Sequence, residues 1–233
     1  MGKVKKKTVD EDADEILVYM QLMLEEARLA KKKITKGFLH SHGEKSPLFP
    51  GLHDGSWFER TNSFAASLGI ELEHFIVSSG IKEMLLGSSI SHYFKHIWAS
   101  KFAYREDVAI WPAAAINYTT KTQFLFRINK GIYNSWDNDA VNRYTPMNER
   151  PIPFERMVFF GDGDTDVPTM KMLTYQGGTS VAVYEKNEKS REKVHSLISN
   201  GRAEFVALAD YQRDSQLDIT AKAILARMNK GFA

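Results

Sequence analysis

The residues best placed for chemistry in this chain are three aspartates within five positions, Asp162, Asp164 and Asp166, in the stretch GDGDTD at 161–166. Crowded carboxylates repel one another unless a cation or a lysine neutralises them. Hard oxygen ligands of this kind suit Mg²⁺ or Ca²⁺. The D-x-D-x-D spacing matches the start of a calcium loop, but that loop needs Gly at 167 and Glu at 173, where the chain has Val167 and Leu173. The preceding Met157–Phe160 also reads as a strand, whereas a calcium loop follows a helix. A polar turn with no ligand is the plain alternative. The reading favoured is a Mg²⁺ site at a strand end, with Gly161 and Gly163 letting the backbone turn sharply and approach a bound group.

Two further stretches could handle phosphate. In FIVSSG, residues 75–80, a hydroxyl at a strand end precedes backbone N–H groups that open a helix. Ser78, Ser79 and Gly80 there form a phosphate-binding corner, although Ser and Gly are also ordinary turn residues. Lys121 stands at the start of a helix, where a positive charge opposes the helix dipole. That placement hints at an anionic partner, against the plainer reading of a solvated lysine.

The elements that position these residues follow from hydrophobic spacing. Ile16, Met20, Met23, Ala27 and Ala30 make one apolar stripe on a helix from Asp12 to Lys33, acidic at its start and basic at its end, with Gly37 as a stop. MGKVKKK reads as a solvated start, and residues 41–56 as a loop. A helix from about Trp57 to Leu68 closes at Gly69. His74–Val77 is a strand leading through Ser78-Ser79-Gly80 to a helix from Ile81. Residues 97–118 make a strand and hairpin that turns at Arg105-Glu106-Asp107. A helix from Lys121 to about Asn129 follows, then an inserted polar loop at about 131–155 with three prolines. Strands at 157–160, 180–184 and 205–208 alternate with helices near Pro168, between Tyr184 and Phe205, and from Ser215 to Met228. Short apolar strands alternating with amphipathic helices predict an α/β fold, a mostly parallel sheet with helices on both faces. In such sheets ligands sit beyond the carboxyl ends of the strands, which selects the turns after Val77 and Phe160.

Composition bounds the rest. The chain has 233 residues, 43% of them apolar, enough for a real core. Thirty-one basic and 29 acidic residues leave a net charge of +2, which argues against a nucleic-acid partner. No apolar run approaches the ~20 residues of a membrane helix, and no signal-peptide block opens the chain. With no cysteine, disulfides, thiolate zinc sites and thiol nucleophiles are excluded. A soluble, cytoplasmic protein without a membrane or nucleic-acid partner is expected.

Together the three stretches resemble the haloacid dehalogenase (HAD) superfamily, particularly its phosphoserine-phosphatase-like phosphohydrolases. Phe75-Ile76-Val77-Ser78 is similar to that family's strand ending in Ser or Thr. Lys121 in TTKTQFLFRINKG matches its lysine at a helix start, and Asp162 and Asp166 match its GDGxxD. PLFPGL and SLGIELEH resemble the family's approach to the serine strand. The likeness spans about residues 47–209, with GDGDTDVP its most specific part. It implies a Rossmann-like HAD fold with a helical cap, and Mg²⁺-dependent hydrolysis of a small phosphorylated metabolite. It also implies roles: Ser78 and Lys121 as catalytic residues that bind phosphate with Ser79 and Gly80, and Asp162 and Asp166 as metal residues. Asp166 would ligate Mg²⁺ directly or fix Lys121. The implied division is a cap-like segment at 1–60 and an α/β core at 61–233.

The family's first motif, a hydrophobic strand ending in DxDGT with the nucleophilic aspartate, has no match. Asp10-Glu11-Asp12 fits D-x-D by letter, but KVKKKTV before it cannot form a strand buried on both faces. The expectation is an N-terminally truncated member, its central first strand missing, with low or no activity. At a strand spacing of ~4.8 Å, the strands ending at Val77 and Phe160 then face a slot ~10 Å wide. Direct pairing, invasion by residues 3–9 or a strand from another chain would close it, and unpaired edges invite a homodimer. The alternative is a non-catalytic protein that keeps the Mg²⁺ and phosphate corner as a scaffold. A receiver-like signalling domain is a third reading, disfavoured by its shorter length and by acids placed near its first strand. His92 with His96, and His40 with His42, read as ordinary histidines instead of metal pairs. Trp98, Trp111, Phe124 and Phe126 read as core residues. Lys186, Lys189 and Lys193, interspersed with Glu188 and Glu192, read as a solvated helix face.

Overall fold

The computed structural model of the chain describes residues 2–162, 164–187, 192 and 196–230. In chain order its helices and strands begin with α1 Gly2–Asp10, α2 Glu15–Leu29, α3 Lys36–Glu44, α4 Ser56–Ser67, β1 Phe75–Ile81 and α5 Lys82–Gly87. Next come β2 His96–Arg105, β3 Val108–Ala114, α6 Thr122–Asn129, α7 Asn138–Asn142 and β4 Val158–Gly161. The described chain closes with α8 Val167–Tyr175, β5 Thr179–Tyr184, β6 Phe205–Leu208 and α9 Gln216–Lys230. The expected helix between β5 and β6, with Lys189, Lys193 and Glu188, falls largely outside the described residues, as does Gly163. The α/β class and the parallel pairing are as the sequence implies. The strands form two three-stranded sheets, β1-β2-β3 and β4-β5-β6. Contacts gather them into two compact units, Met1–Pro47 with His74–Asn117, and Leu48–Glu73 with Tyr118–Ala233.

In the first unit, β1 runs parallel to β2 and β2 antiparallel to β3. The hairpin turns at Glu106 and Asp107, both left-handed at φ 46° and 67°, the twist that suits a tight β-hairpin. Helix α2 begins where Asp14 caps it, its Oδ1 accepting from the Ile16 and Leu17 amides at 2.9 Å each. It stops at Lys31, left-handed at φ 53°, and Gly37 lies inside α3 instead of ending α2. Met20 is fully buried in a core with Ile34, Leu39, Ile81, Phe102 and Ala109, flanked by Ile16, Met23 and Ala27 from the expected stripe. Helices α3 and α5 cross closely: a Cβ on Gly43 would lie 1.8 Å from the Met84 carbonyl oxygen, and one on Gly87 2.1 Å from that of His40. The first four residues of the loop expected at 41–56 are therefore the end of α3. Residues 3–9 belong to α1, a helix with no buried residue, so they do not enter a sheet.

The second unit is built on the all-parallel β4-β5-β6. Its middle strand β5 is buried from Thr179 to Val183, as a parallel strand covered on both faces should be. Among the described residues, strand β4 pairs with β5 alone and, in the first unit, β1 with β2 alone, so each is an edge of its sheet. The insertion expected to be loop contains α7 and is fastened from α6. The Arg127 guanidinium, 2% exposed, donates to the Asn134, Ser135 and Asp137 carbonyls and to Asn138 Oδ1. Lys130 Nζ donates to the Val141 and Arg143 carbonyls at 2.6 Å.

Helices α4 and α9 are joined through Asp218, which is 0% exposed. Arg60 Nε donates to its Oδ1 at 3.0 Å, and Lys222 Nζ and the Asp214 amide to its Oδ2 at 2.7 and 3.0 Å. Burial pushes this carboxyl up, but the bonds from Lys222, the Asp214 amide and Arg60 outweigh it and hold the pKa below the usual range. Because the folded pKa lies below the unfolded one, the stabilisation is complete above about pH 4 and is lost as pH falls through the folded value. Asp218→Ala is expected to cost about 3–5 kcal/mol at pH 7, because two cations lose their shared partner. Urea denaturation of both proteins across pH 3–7 should show that cost, and the variant should lack the corresponding acid-induced loss.

Candidate phosphate and metal site

The GDGDTD stretch begins at the last residue of β4 and passes through a 3₁₀ turn, Asp164–Asp166, into α8. Pro168 sits in the first turn of α8, where a missing N–H costs nothing. This tight strand–turn–helix brings Asp166 back over the strand end. A Cβ on Gly161 would lie 2.7 Å from Asp166 Cβ and 2.4 Å from the Met170 methyl. Gly161 is therefore required to admit the chain's own Asp166.

Asp166 is buried, 5% exposed, and both its oxygens are engaged. Lys121 Nζ donates to Oδ1 at 2.5 Å, and the Asp162 amide donates to Oδ2 at 3.2 Å. Lys121 is itself only 4% exposed and also donates to Thr165 Oγ1 at 3.0 Å. Its backbone caps α6 after the 3₁₀ turn Tyr118–Lys121. The anionic partner of this lysine is thus Asp166, and a lysine is what offsets the crowded carboxylates.

Asp162 and Asp164 carry exposed side chains at the same strand end. Among the described residues no three His, Cys, Asp or Glu side chains gather as a metal site. Mg²⁺ commonly takes one or two protein carboxylates and completes its octahedron with water and phosphate oxygens. The donor set fits such an ion through Asp162, with Asp166 turned to Lys121. Tyr211 lies within the electrostatic reach of Asp162. Its pKa is raised to about 12, first by burial and then by that negative charge. Its ring packs edge-on to Trp57 at 5.1 Å and stacks near Phe49 at 6.3 Å. Its amide donates to the Pro50 carbonyl at 2.8 Å, and its own carbonyl accepts from Arg60.

Ser78 lies in the first unit. The expected turn at Ser78-Ser79-Gly80 is a bulge inside β1, where Ser78 opposes Ala99 and Ile81 opposes Ser100. Ser78 Oγ accepts from the Gly80 amide at 3.0 Å, which leaves the hydroxyl proton free to donate and occupies one of the corner's N–H groups. Ser79 Oγ is buried and has no hydrogen-bond partner among the described residues. Lys121, Asp162 and Asp166 are brought together in the second unit. Sequence reasoning missed Thr165 and Tyr211. Thr165 stands in the GDGDTD stretch and could have been flagged as a lysine ligand, whereas nothing local marks Tyr211.

The histidines have other roles. His42 and His40 lie on α3, His42 Nδ1 at 2.8 Å from the Phe38 carbonyl and His40 Nδ1 at 3.2 Å from Glu44. His92 is in a short 3₁₀ turn and His96 begins β2, so the two do not share a helix face. Trp98 and Phe124 are buried, whereas Trp111 and Phe126 are 54% and 40% exposed and are not core residues.

No protein-family model matches the chain. A HAD family hydrolase from Salmonella enterica serovar Typhi, known from its crystal structure, superposes with a TM-score of 0.52 at 17% identity, covering 83% of this chain and 55% of that one. An uncharacterized protein of Borreliella burgdorferi is 29% identical over 165 aligned positions, covering 63% of this chain and 55% of its own length. The chain spans about half the length of each. The fold is HAD-like.

Asp166→Ala is expected to cost about 3–5 kcal/mol, because it strands the buried Lys121 ammonium. The double variant Lys121→Met/Asp166→Leu should regain most of that loss, since an apolar pair removes the charge problem. Denaturant midpoints of the three proteins check both outcomes. Gly161→Ala should be destabilised by about 1–3 kcal/mol through overpacking against Asp166 and Met170.

Proposed function

We propose that the chain is a HAD-like, phosphohydrolase-type protein that binds a small phosphorylated metabolite with Mg²⁺ and, as this chain, turns it over slowly or not at all. The observation that carries the reading is the buried Lys121–Asp166 pair set beside exposed Asp162 at the carboxyl end of a parallel strand. In this reading Asp162 holds the metal. Asp166 fixes Lys121, and the ammonium neutralises phosphoryl oxygens. Within the first unit, Ser78 offers its hydroxyl to phosphate, with Ser79 and Gly80 in the same bulge. Bound Mg²⁺ would add a divalent charge that polarises the phosphoryl group. Preorganised charge of this sort is the main way proteins favour phosphoryl transfer.

Low turnover is proposed because, among the described residues, the D-x-D aspartate Asp10 is not placed at a strand end for attack. Asp10 is the exposed last residue of α1, and Asp12 follows in a left-handed conformation at φ 47°. An aspartate there neither ends a strand nor is held by one. This observation also favours the second reading, a binding or scaffolding protein that retains the phosphate and Mg²⁺ corner. The edges of β1 and β4 are the surfaces proposed for homodimer contact, and a cytoplasmic setting fits the absence of cysteine. No helix among the described residues is long and apolar enough to cross a membrane.

The test measures Mg²⁺-dependent hydrolysis of p-nitrophenyl phosphate and, separately, binding of inorganic phosphate by calorimetry. Little or no hydrolysis is expected, with phosphate binding that needs Mg²⁺ and is lost in Lys121→Met and Asp162→Asn. Absence of phosphate binding would sink the reading. Robust hydrolysis lost in Asp10→Asn but kept in Asp14→Asn would make Asp10 the nucleophile after all.

A further inference from the structure

The first unit brings two lysines together just past the Ser78 bulge. Strands β1 and β2 run parallel, and beyond the bulge Ile81 stands opposite Ser100. The next residues are Lys82, which opens α5, and Lys101, which continues β2, so the two lysines start from neighbouring backbone positions where the ladder ends. Neither ammonium makes a hydrogen bond or ion pair with a described residue. The pKa of Lys82 is lowered, first by burial and then by the charge of Lys101, with Glu83 pulling the other way. His96 is lowered too, by burial and then by Lys82. Like charges held this close disfavour each other's charged form. An anion in contact with both reverses that penalty, since its bonds to two ammonium groups are charge-assisted. Between the lysines and Ser78 along the chain lies Ser79, its buried Oγ without a partner among the described residues.

We propose that Lys82 and Lys101 bind a second anionic group of the ligand, a carboxylate or another phosphate, beside the phosphoryl group taken by Ser78, Ser79 and Gly80. The substrate class is then a phosphate ester carrying two anionic groups. This inference rests on the reading of Ser78–Gly80 as a phosphate corner. It adds what that reading lacks, a criterion for which phosphate ester is preferred. Lysine suits the task because its ammonium is a point charge that accepts either anion without a fixed fork geometry. Glu83 beside Lys82 should weaken the preference without reversing it, because one acid faces two lysines.

Calorimetry on the full chain with Mg²⁺ compares ethyl phosphate with phosphoglycolate, which differ by one carboxylate. Phosphoglycolate is expected to bind about tenfold or more tightly. Lys82→Gln and Lys101→Gln should each reduce that ratio to about threefold or less while leaving ethyl phosphate binding unchanged. Ser78→Ala should weaken both ligands alike. A ratio near one in the wild-type chain, with ethyl phosphate still weakened by Ser78→Ala, overturns the lysine pair and leaves the phosphate corner standing. A ratio that both lysine variants retain also overturns it. Loss of the ratio in the lysine variants, with binding indifferent to Ser78→Ala, supports the pair and overturns the corner. No binding of either ligand overturns both.

Discussion

The buried ion pair between Lys121 and Asp166 is the constraint on which the second unit's strand end depends. A buried ammonium and a buried carboxylate are tolerable only together, because each alone would bear the full cost of leaving water. Each member is placed by a different element, Lys121 by the start of α6 and Asp166 by the turn into α8. Meeting at 2.5 Å therefore fixes those two elements against each other. The requirement reaches back into the strand: Gly161 has to lack a side chain so that Asp166 can close over it. It also decides what the remaining acids can do. Asp166 is committed to the lysine and to the Asp162 amide, while the Asp162 and Asp164 side chains are exposed.

How much of this was legible in the sequence depends on the range of the contact. The α2 stripe, the Glu106–Asp107 hairpin and the strands around GDGDTD follow from spacing within a few residues, and the structure has them. The misread points are those where a distant segment decides. Gly37 looked like a helix stop but is inside α3, while Lys31 takes the left-handed stop that glycine usually supplies. The stretch at 41–56 looked like loop, yet Gly43 lets α3 pack onto the backbone of α5, about forty residues on. In the site, the Lys121 placement hinted at an anion, because its charge opposes the helix dipole. Thr165 stood in the GDGDTD stretch and could have been read as a lysine ligand, whereas nothing local marked Tyr211. Their roles come from contacts to Lys121 and near Asp162, more than forty residues away in chain order.

The two edge strands sharpen the question of activity. Strand β4 reads Val-Phe-Phe-Gly, an apolar run of the sort found inside a parallel sheet, yet among the described residues it has one neighbour, and its Val158, Phe159 and Phe160 are only half-buried. Strand β1 is also an edge and also half-buried over most of its length. Parallel sheets stay covered because their strands have little polar surface to show water. A sheet ending on such a strand leaves a row of unpaired backbone groups beside apolar side chains. The lysine-rich N-terminal segment does not relieve this. It folds as α1, whose Lys3 reaches Glu26 on α2 at 2.6 Å. An exposed pair of this kind contributes little, so α1 lies on the surface of its unit and organises nothing at a strand end. Asp10, the exposed last residue of that helix, is not held at a strand end.

Helix α6 ties the site to the insertion, and the direction of that coupling can be argued. Its first turn carries Lys121. Its last turn carries Arg127, Asn129 and Lys130, which hold the following segment through its backbone carbonyls. Apart from the Asn138 side chain, these acceptors are carbonyls that do not depend on the loop's side chains, so most of the insertion can vary in sequence while its course stays fixed. Arg127 is almost completely buried, and the bonds from its two Nη atoms replace water there, while its Nε has no partner among the described residues. Losing the loop would leave that charge unsatisfied inside the protein, and α6 would have to shift to expose it. Any such shift moves the Lys121 end as well, because eight residues of helix transmit it nearly rigidly. Packing alone gives α6 no reason to bury an arginine. Holding the ammonium of Lys121 against Asp166 from both ends of the helix supplies one.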